Sequence, residues 1–115
     1  MAQNQRHVSV EKVQVSTAET ADGTSAKAPI SSTAESLELW VNVTAVDPGD
    51  FDFILETSID GTNFSTQATI AAISVTGVQT VAISRTDDAL GTTARVRWVQ
   101  NSGGATFTID LVRRE

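Results

Sequence analysis

The sequence contains no cysteine, no tyrosine, only two prolines and a single histidine, His7. Without cysteine the chain can form neither a disulfide framework nor a thiolate metal site. One histidine on a polar N-terminal stretch leaves transition metals without their usual ligands, and it leaves a nucleophile without an oriented general base. We therefore expect no metal, no cofactor and no catalytic residues, and we expect that the protein is not an enzyme.

Basic residues are scarce as well. The formal net charge is −6, and Lys12 and Lys27 are the only lysines. Binding to DNA or RNA depends on basic patches, so we expect no nucleic acid among the partners. No apolar run approaches the roughly 20 residues that span a bilayer, and the first residues lack the apolar segment of a secretory signal. We expect no membrane partner either.

The residues that are abundant favour strands. Residues 36–46, SLELWVNVTAV, alternate strictly between apolar and polar side chains, with Leu39 and Val41 on one face and Trp40 on the other. This period of two is typical of a half-buried strand. The run FDFILETSI alternates in the same way after the turn DPGD, and we expect these two strands to form a hairpin.

Shorter alternating segments fill the rest of the chain. HVSVEKVQVST shifts phase across Glu11 and Lys12, which predicts a bulge, and four further segments, FSTQATIAAISV, VQTVAIS, ARVRWVQ and ATFTIDLVRRE, read as strands. No segment has a helical period. About eight short strands with regular turn signals predict an all-β fold, an antiparallel β-sandwich of the jelly-roll type. Residues 1–7 are predicted to be a flexible N-terminal arm, and residues 8–115 a single β-sandwich domain.

Aspartates gather in the segment DPGDFD, as Asp47, Asp50 and Asp52. Calcium takes oxygen ligands from loops, but the spacing does not match that of an EF-hand loop. Capping of the turn is the simpler role for Asp47 and Asp50. Paired carboxylates for glycoside hydrolysis require an apolar pocket around one of them, and no such context is evident here.

Four residues are candidates for an interface. Trp40 points away from the predicted core face, and Ile54 does the same on the next strand, so together they predict a second apolar patch. The alternative is that a sandwich edge or the N-terminal segment covers both side chains. Arg95 and Arg97 share one strand face, where they either pair with acidic residues of a neighbouring strand or contact a partner subunit.

The stretch SIDGTNF, residues 58–64, has several interpretations. It is not a sialidase-type Asp box, because Gly61 follows Asp60 directly and Phe64 stands where that motif has tryptophan. Asp60 and Gly61 both tolerate a positive φ, and strand patterns flank them on each side. The stretch therefore predicts a hairpin turn.

SIDGTNF also belongs to a longer string of matching segments. These are SIDGTNF (58–64), TGVQTVAI (76–83), ARVRWVQNSGGATFTIDL (94–111) and, more loosely, LELWVNVTAV (37–46). The string resembles small β-sandwich virion proteins of tailed bacteriophages, which are found among head and head–tail structural proteins. The resemblance implies a non-enzymatic building block that coats or reinforces a capsid or sits at its neck.

The resemblance further implies a location and partners. It points to a capsid decoration (cement) protein on the outer head surface, bound to the major capsid protein or other virion proteins. A homo-oligomer is expected, with a trimer as one form. The virion is expected to assemble in the host cytoplasm, a reducing compartment that suits a chain without cysteine. A neck or tail component is the first alternative. A carbohydrate-binding or adhesin module is the second, with Trp40 as its aromatic platform.

Overall fold

Nine β-strands and no helix are formed by the residues that this computed structural model describes, which are 8–47, 49–86 and 88–115. The predicted arm, residues 1–7, lies outside the described residues, as do His7 within it and Pro48 in the DPGD turn. The strands are β1 (Val8–Glu19), β2 (Gly23–Thr24), β3 (Ala28–Pro29), β4 (Ser36–Val46), β5 (Phe51–Ser58), β6 (Ser65–Ile73), β7 (Gly77–Ser84), β8 (Thr93–Gln100) and β9 (Ala105–Arg114).

The strands form two antiparallel sheets. The four-stranded sheet has the order β1-β9-β4-β7, and the five-stranded sheet has the order β2-β8-β5-β6 with β3 also paired to β8. Strand β2 pairs at Trp98 and β3 pairs at Ala94, so the two short strands lie along the same side of β8 as two pieces of one edge strand. When β2 and β3 are counted as one strand, the sandwich has eight strands in the order of a jelly roll. The predicted fold is confirmed.

The expected hairpin between β4 and β5 does not form. Strand β4 pairs with β7 and β9, whereas β5 pairs with β6 and β8 in the other sheet. The connection through Asp47 and Asp50 therefore carries the chain from one sheet to the other. Alternation identifies both strands correctly, but a short turn between two strands does not show that they pair with each other.

The bulge predicted in β1 is confirmed. The pairing of β1 with β9 shifts register between Lys12 and Gln14. The extra residue, Val13, turns inward and is buried, whereas Val10 before the bulge and Val15 after it are exposed.

An aromatic cluster joins the two sheets. Phe107 of β9 is fully buried, and its ring centroid lies 6.0 Å from that of Phe51, 5.0 Å from that of Phe53 and 5.3 Å from that of Trp98. The last three residues belong to the five-stranded sheet, and their rings meet Phe107 edge to face, which is a favoured geometry for aromatic pairs. Phe107 therefore packs one sheet against the other.

The stretch SIDGTNF forms the predicted turn between β5 and β6. Oδ1 of Asp60 accepts hydrogen bonds from the backbone N–H groups of Thr62 at 2.9 Å and Asn63 at 2.8 Å, and Gly61 adopts a φ of 76°. These hydrogen bonds hold the pKa of Asp60 well below its ordinary value, and the bond from the backbone N–H of Asn63 has the largest effect. The carboxylate of Asp60 therefore accepts hydrogen bonds from the backbone of the turn to which it belongs.

We expect Phe107→Ala to lower the free energy of unfolding by about 3–5 kcal/mol, because the truncation leaves a cavity between the sheets. Urea denaturation followed by tryptophan fluorescence measures the change. Val75→Ala is the control, since Val75 is 63% exposed in the turn before β7 and its loss should cost under about 0.5 kcal/mol. Similar losses for the two variants would show that Phe107 does not join the sheets.

We expect Asp60→Asn to destabilise the protein at neutral pH, with a difference from wild type that narrows in acid. The folded-state pKa lies below the unfolded value of about 3.9, so the stabilisation is present above that pH and is lost as the pH falls through the folded-state pKa. Denaturation curves of both proteins from about pH 7 down to about pH 3 measure how the difference in their free energies of unfolding decreases.

Gly61→Val is the matched control for this pH dependence. An added Cβ at Gly61 meets no atom within 4 Å, so the substitution acts through its positive φ alone and should cost about 1–2 kcal/mol at every pH. If the Asp60→Asn difference were as independent of pH as the Gly61→Val difference, the hydrogen-bonded carboxylate would not be the source of the stabilisation.

Candidate functional site

Trp40 lies on the outer face of the four-stranded sheet. Its neighbours in β4, Leu39 and Val41, are fully buried, and the indole itself is 40% exposed. Trp40 is the one exposed aromatic side chain among the described residues. It points away from the core, as the alternation in residues 36–46 predicts.

A shallow apolar groove runs beside the indole. Pairing of β1 with β9 places Val10 opposite Val112, and pairing of β9 with β4 places Asp110 beside Trp40. The groove has a volume of about 320 Å³. It is lined by Val8, Val10, Trp40, Asp110, Val112 and Arg114, and we call this surface the Trp40 face.

The charges around the Trp40 face are paired within the sheet. Nε of Arg114 lies 2.6 Å from Oε2 of Glu38, and Nζ of Lys12 lies 3.1 Å from Oδ1 of Asp110. The indole N–H of Trp40 donates to Oε1 of Glu38 at 2.9 Å, which fixes the orientation of the ring. The hydrogen bond from Arg114 is the largest cause that lowers the pKa of Glu38. Partial burial opposes this shift, and the hydrogen bond from Trp40 adds to it.

Ile54 does not join this patch. It lies on β5, opposite Thr69 of β6 and Arg97 of β8, so it belongs to the outer face of the five-stranded sheet. Trp40 and Ile54 therefore face opposite sides of the sandwich. The expectation of one patch containing both was wrong, because it assumed that β4 and β5 are neighbours in the same sheet.

Arg95 and Arg97 pair across strands with one carboxylate. Nε of Arg95 lies 2.9 Å from Oε1 of Glu56, and Nε of Arg97 lies 3.3 Å from Oε2 of the same residue. Glu56 is buried on β5, so the two guanidinium groups balance its charge. The guanidinium of Arg95 also stacks 3.9 Å above the ring centroid of Phe64, which ties the SIDGTNF turn to the sheet.

Asp50 and Asp52 of DPGDFD bond to other segments of the chain, and capping of the turn by Asp47 and Asp50 stays a prediction. Oδ1 of Asp50 accepts from the side-chain amide of Asn101 at 2.6 Å, and Oδ1 of Asp52 accepts from the backbone N–H of Ala72 at 2.8 Å. In the part of the chain that the structure describes, no three His, Cys, Asp or Glu side chains are grouped so as to hold a metal ion. The same part contains no helix with the length and apolar character needed to cross a membrane.

Five of the six residues of the Trp40 face, all except Trp40, are missing from the sequence-based prediction. The sequence does not assign Val8 and Val10 to either face, because alternation alone does not tell which side of a bulged strand faces inward. Val112 follows Leu111 directly, and such an apolar doublet on a strand is a signal that both faces carry apolar side chains.

No family model matches the sequence, and no curated protein matches it. Three solved structures resemble the fold over nearly their whole length. The prophage-derived protein YomS of SPBc2 has a TM-score of 0.63 at 8% identity, with 100% of this chain and 99% of that chain covered.

The second is a protein of the disulfide-linked pili that form Bacillus endospore appendages, with a TM-score of 0.56 at 14% identity over 99% of this chain and 92% of that one. The third is TmCBM61, solved in complex with β-1,4-galactotriose. Its TM-score is 0.53 at 12% identity, with 97% of this chain and 88% of that chain covered. At these identities the similarity establishes the fold alone, which this chain shares with those three proteins.

Proposed function

We propose that this chain is a non-enzymatic virion structural protein, a capsid decoration protein that binds the outer head surface through its Trp40 face. The observation that carries the proposal is the exposed apolar groove around Trp40, bordered by charges that are already paired. The segments that resemble those of phage virion proteins support it, as does a fold that a prophage-derived protein shares from end to end.

The Trp40 face has the composition of a protein-binding surface. Tryptophan is enriched among the residues that dominate binding energy, and contacts of this kind are dry at the centre and polar at the rim. Here Trp40 and three valines form the centre, while the pairs Glu38–Arg114 and Lys12–Asp110 form the rim. A partner can cover the centre without burying an unpaired charge.

The size of the groove fits a protein that acts in many copies. One tryptophan and a few valines supply only a small binding area, so each contact is individually weak. In a homo-oligomer several Trp40 faces are joined, and a symmetric particle can bind them together with an affinity raised by effective concentration. The proposal therefore includes the major capsid protein or another virion protein as partner, and a neck or tail position would use the same face.

A carbohydrate-binding module is the second candidate. Trp40 is exposed beside a groove, as a sugar-stacking platform must be, and TmCBM61 shares the fold. Against it, the indole N–H is already bonded to Glu38, and no second exposed aromatic side chain lies among the described residues. Sugar sites usually combine an aromatic face with several free polar groups.

We expect Trp40→Ala to weaken binding to matching phage capsids by at least about tenfold without changing the fold, because the indole is the largest side chain of the face. Co-sedimentation with particles measures binding, and a thermal melt followed by circular dichroism checks folding. Ile59→Ala is the control, since Ile59 is 82% exposed in the turn after β5 and lies outside the Trp40 face.

Two outcomes would contradict the proposal. The first is equal capsid binding by Trp40→Ala and wild type, together with the absence of the protein from purified virions by mass spectrometry. The second is specific glycan binding on an array that Trp40→Ala abolishes, without any binding to capsids. The second result would establish the carbohydrate-binding module instead.

A further inference from the structure

Strand β7 is an edge strand with one unused side. It ends the four-stranded sheet, and among the described residues it pairs with β4 alone. The pairing runs without a register shift from Ser36 opposite Ser84 to Val43 opposite Gly77. The other side of β7 therefore presents a straight row of backbone N–H and C=O groups, which is a template for another strand.

The usual protection of an edge strand is missing from β7. Edge strands commonly carry charged side chains, proline or bulges that prevent pairing with another chain. Residues 61–84 contain no charged residue and no proline, although the whole chain has a net charge of −6. Residues 77–80 are all exposed, and Val78 is 53% exposed.

The other edges of the sandwich are protected. Strand β1 has two register shifts and carries Glu11 and Lys12, and β6 has two register shifts against β5. Strands β2 and β3 have two residues each, with Lys27 and Pro29 close by or within them. Within the described ranges, a long uninterrupted edge is therefore offered by β7, and its natural counterpart is the β7 edge of a second copy.

We propose that β7 pairs antiparallel with β7 of a second copy, about a two-fold axis at Thr80. The usable edge runs from Gly77 to Ile83, because the backbone N–H of Ser84 donates to Oδ2 of Asp88 at 3.1 Å, and Thr80 is the midpoint of that edge. With the two-fold axis at this midpoint, Thr80 faces Thr80 of the partner subunit, and Val78 faces Ala82 of the partner subunit. Outer-face side chains then meet outer-face side chains, as cross-strand pairing in one sheet requires.

The β7 edge avoids a local electrostatic cost, although both chains are acidic. The charged outer-face residue of β4 next to the edge is Glu38, which lies beside Ala82 and is paired with Arg114. The β7 edge therefore joins two chains where unpaired charge is absent from the facing strands. The two four-stranded sheets become continuous, and their two Trp40 faces lie on the same side of the joined sheet.

Sedimentation velocity of the purified chain tests the pairing, and it does so without capsids, independently of the proposed function. We expect wild type to show a concentration-dependent dimer. Thr80→Lys should raise the dimer dissociation constant by at least about tenfold, because it places two lysines opposite each other at the axis. Thr69→Lys is the control, since Thr69 is an exposed threonine on the other uncharged edge strand, β6.

A cross-linking experiment tests the register. The chain has no cysteine, so Thr80→Cys introduces a single thiol. Directly opposite residues in an antiparallel pair have Cα atoms about 4.5–5.5 Å apart, within the range of a disulfide. We expect Thr80→Cys to form a covalent dimer with oxidised glutathione much faster than Thr69→Cys.

Three results would overturn the inference. They are a wild-type chain that stays monomeric at every concentration, equal dimerisation of wild type and Thr80→Lys, and cross-linking of Thr80→Cys at the rate of Thr69→Cys. If β7 instead paired with the strand of a different protein while this chain remained monomeric, the second-copy assignment would be wrong.

Discussion

The structure depends on the contact that Phe107 makes across the sandwich. Its ring lies against Phe51, Phe53 and Trp98, all of which come from the other sheet. The inner faces of both sheets are thereby buried, and each strand is left with one face for other purposes. The Trp40 face is available because β4 and β9 have already buried their inner side chains.

The two outer faces differ in what they offer. The four-stranded sheet carries an apolar groove whose neighbouring charges are paired, whereas the five-stranded sheet carries Glu56 between Arg95 and Arg97. The first is a surface that a partner can cover at low electrostatic cost. In the second, two guanidinium groups share one carboxylate, which leaves a net positive charge, and an interface role for Ile54, Arg95 and Arg97 stays a prediction.

A shared sandwich does not define a shared function. The similar structures include a prophage-derived protein, a pilus protein and a sugar-binding module, which use one architecture in different ways. For this chain the functional proposals therefore rest on a face and an edge, namely Trp40 with its groove and β7 with its uncharged row of backbone groups.

The sequence by itself determined the seven long strands, the bulge in β1, the SIDGTNF turn and the outward direction of Trp40, because alternation and turn chemistry are local properties. Only the tertiary structure decided that β4 and β5 lie in different sheets, which separated Trp40 from Ile54. It also brought Val8 and Val112 from opposite ends of the chain to the same groove. Strand pairing joins residues far apart in sequence, and no local pattern records which strands will be neighbours.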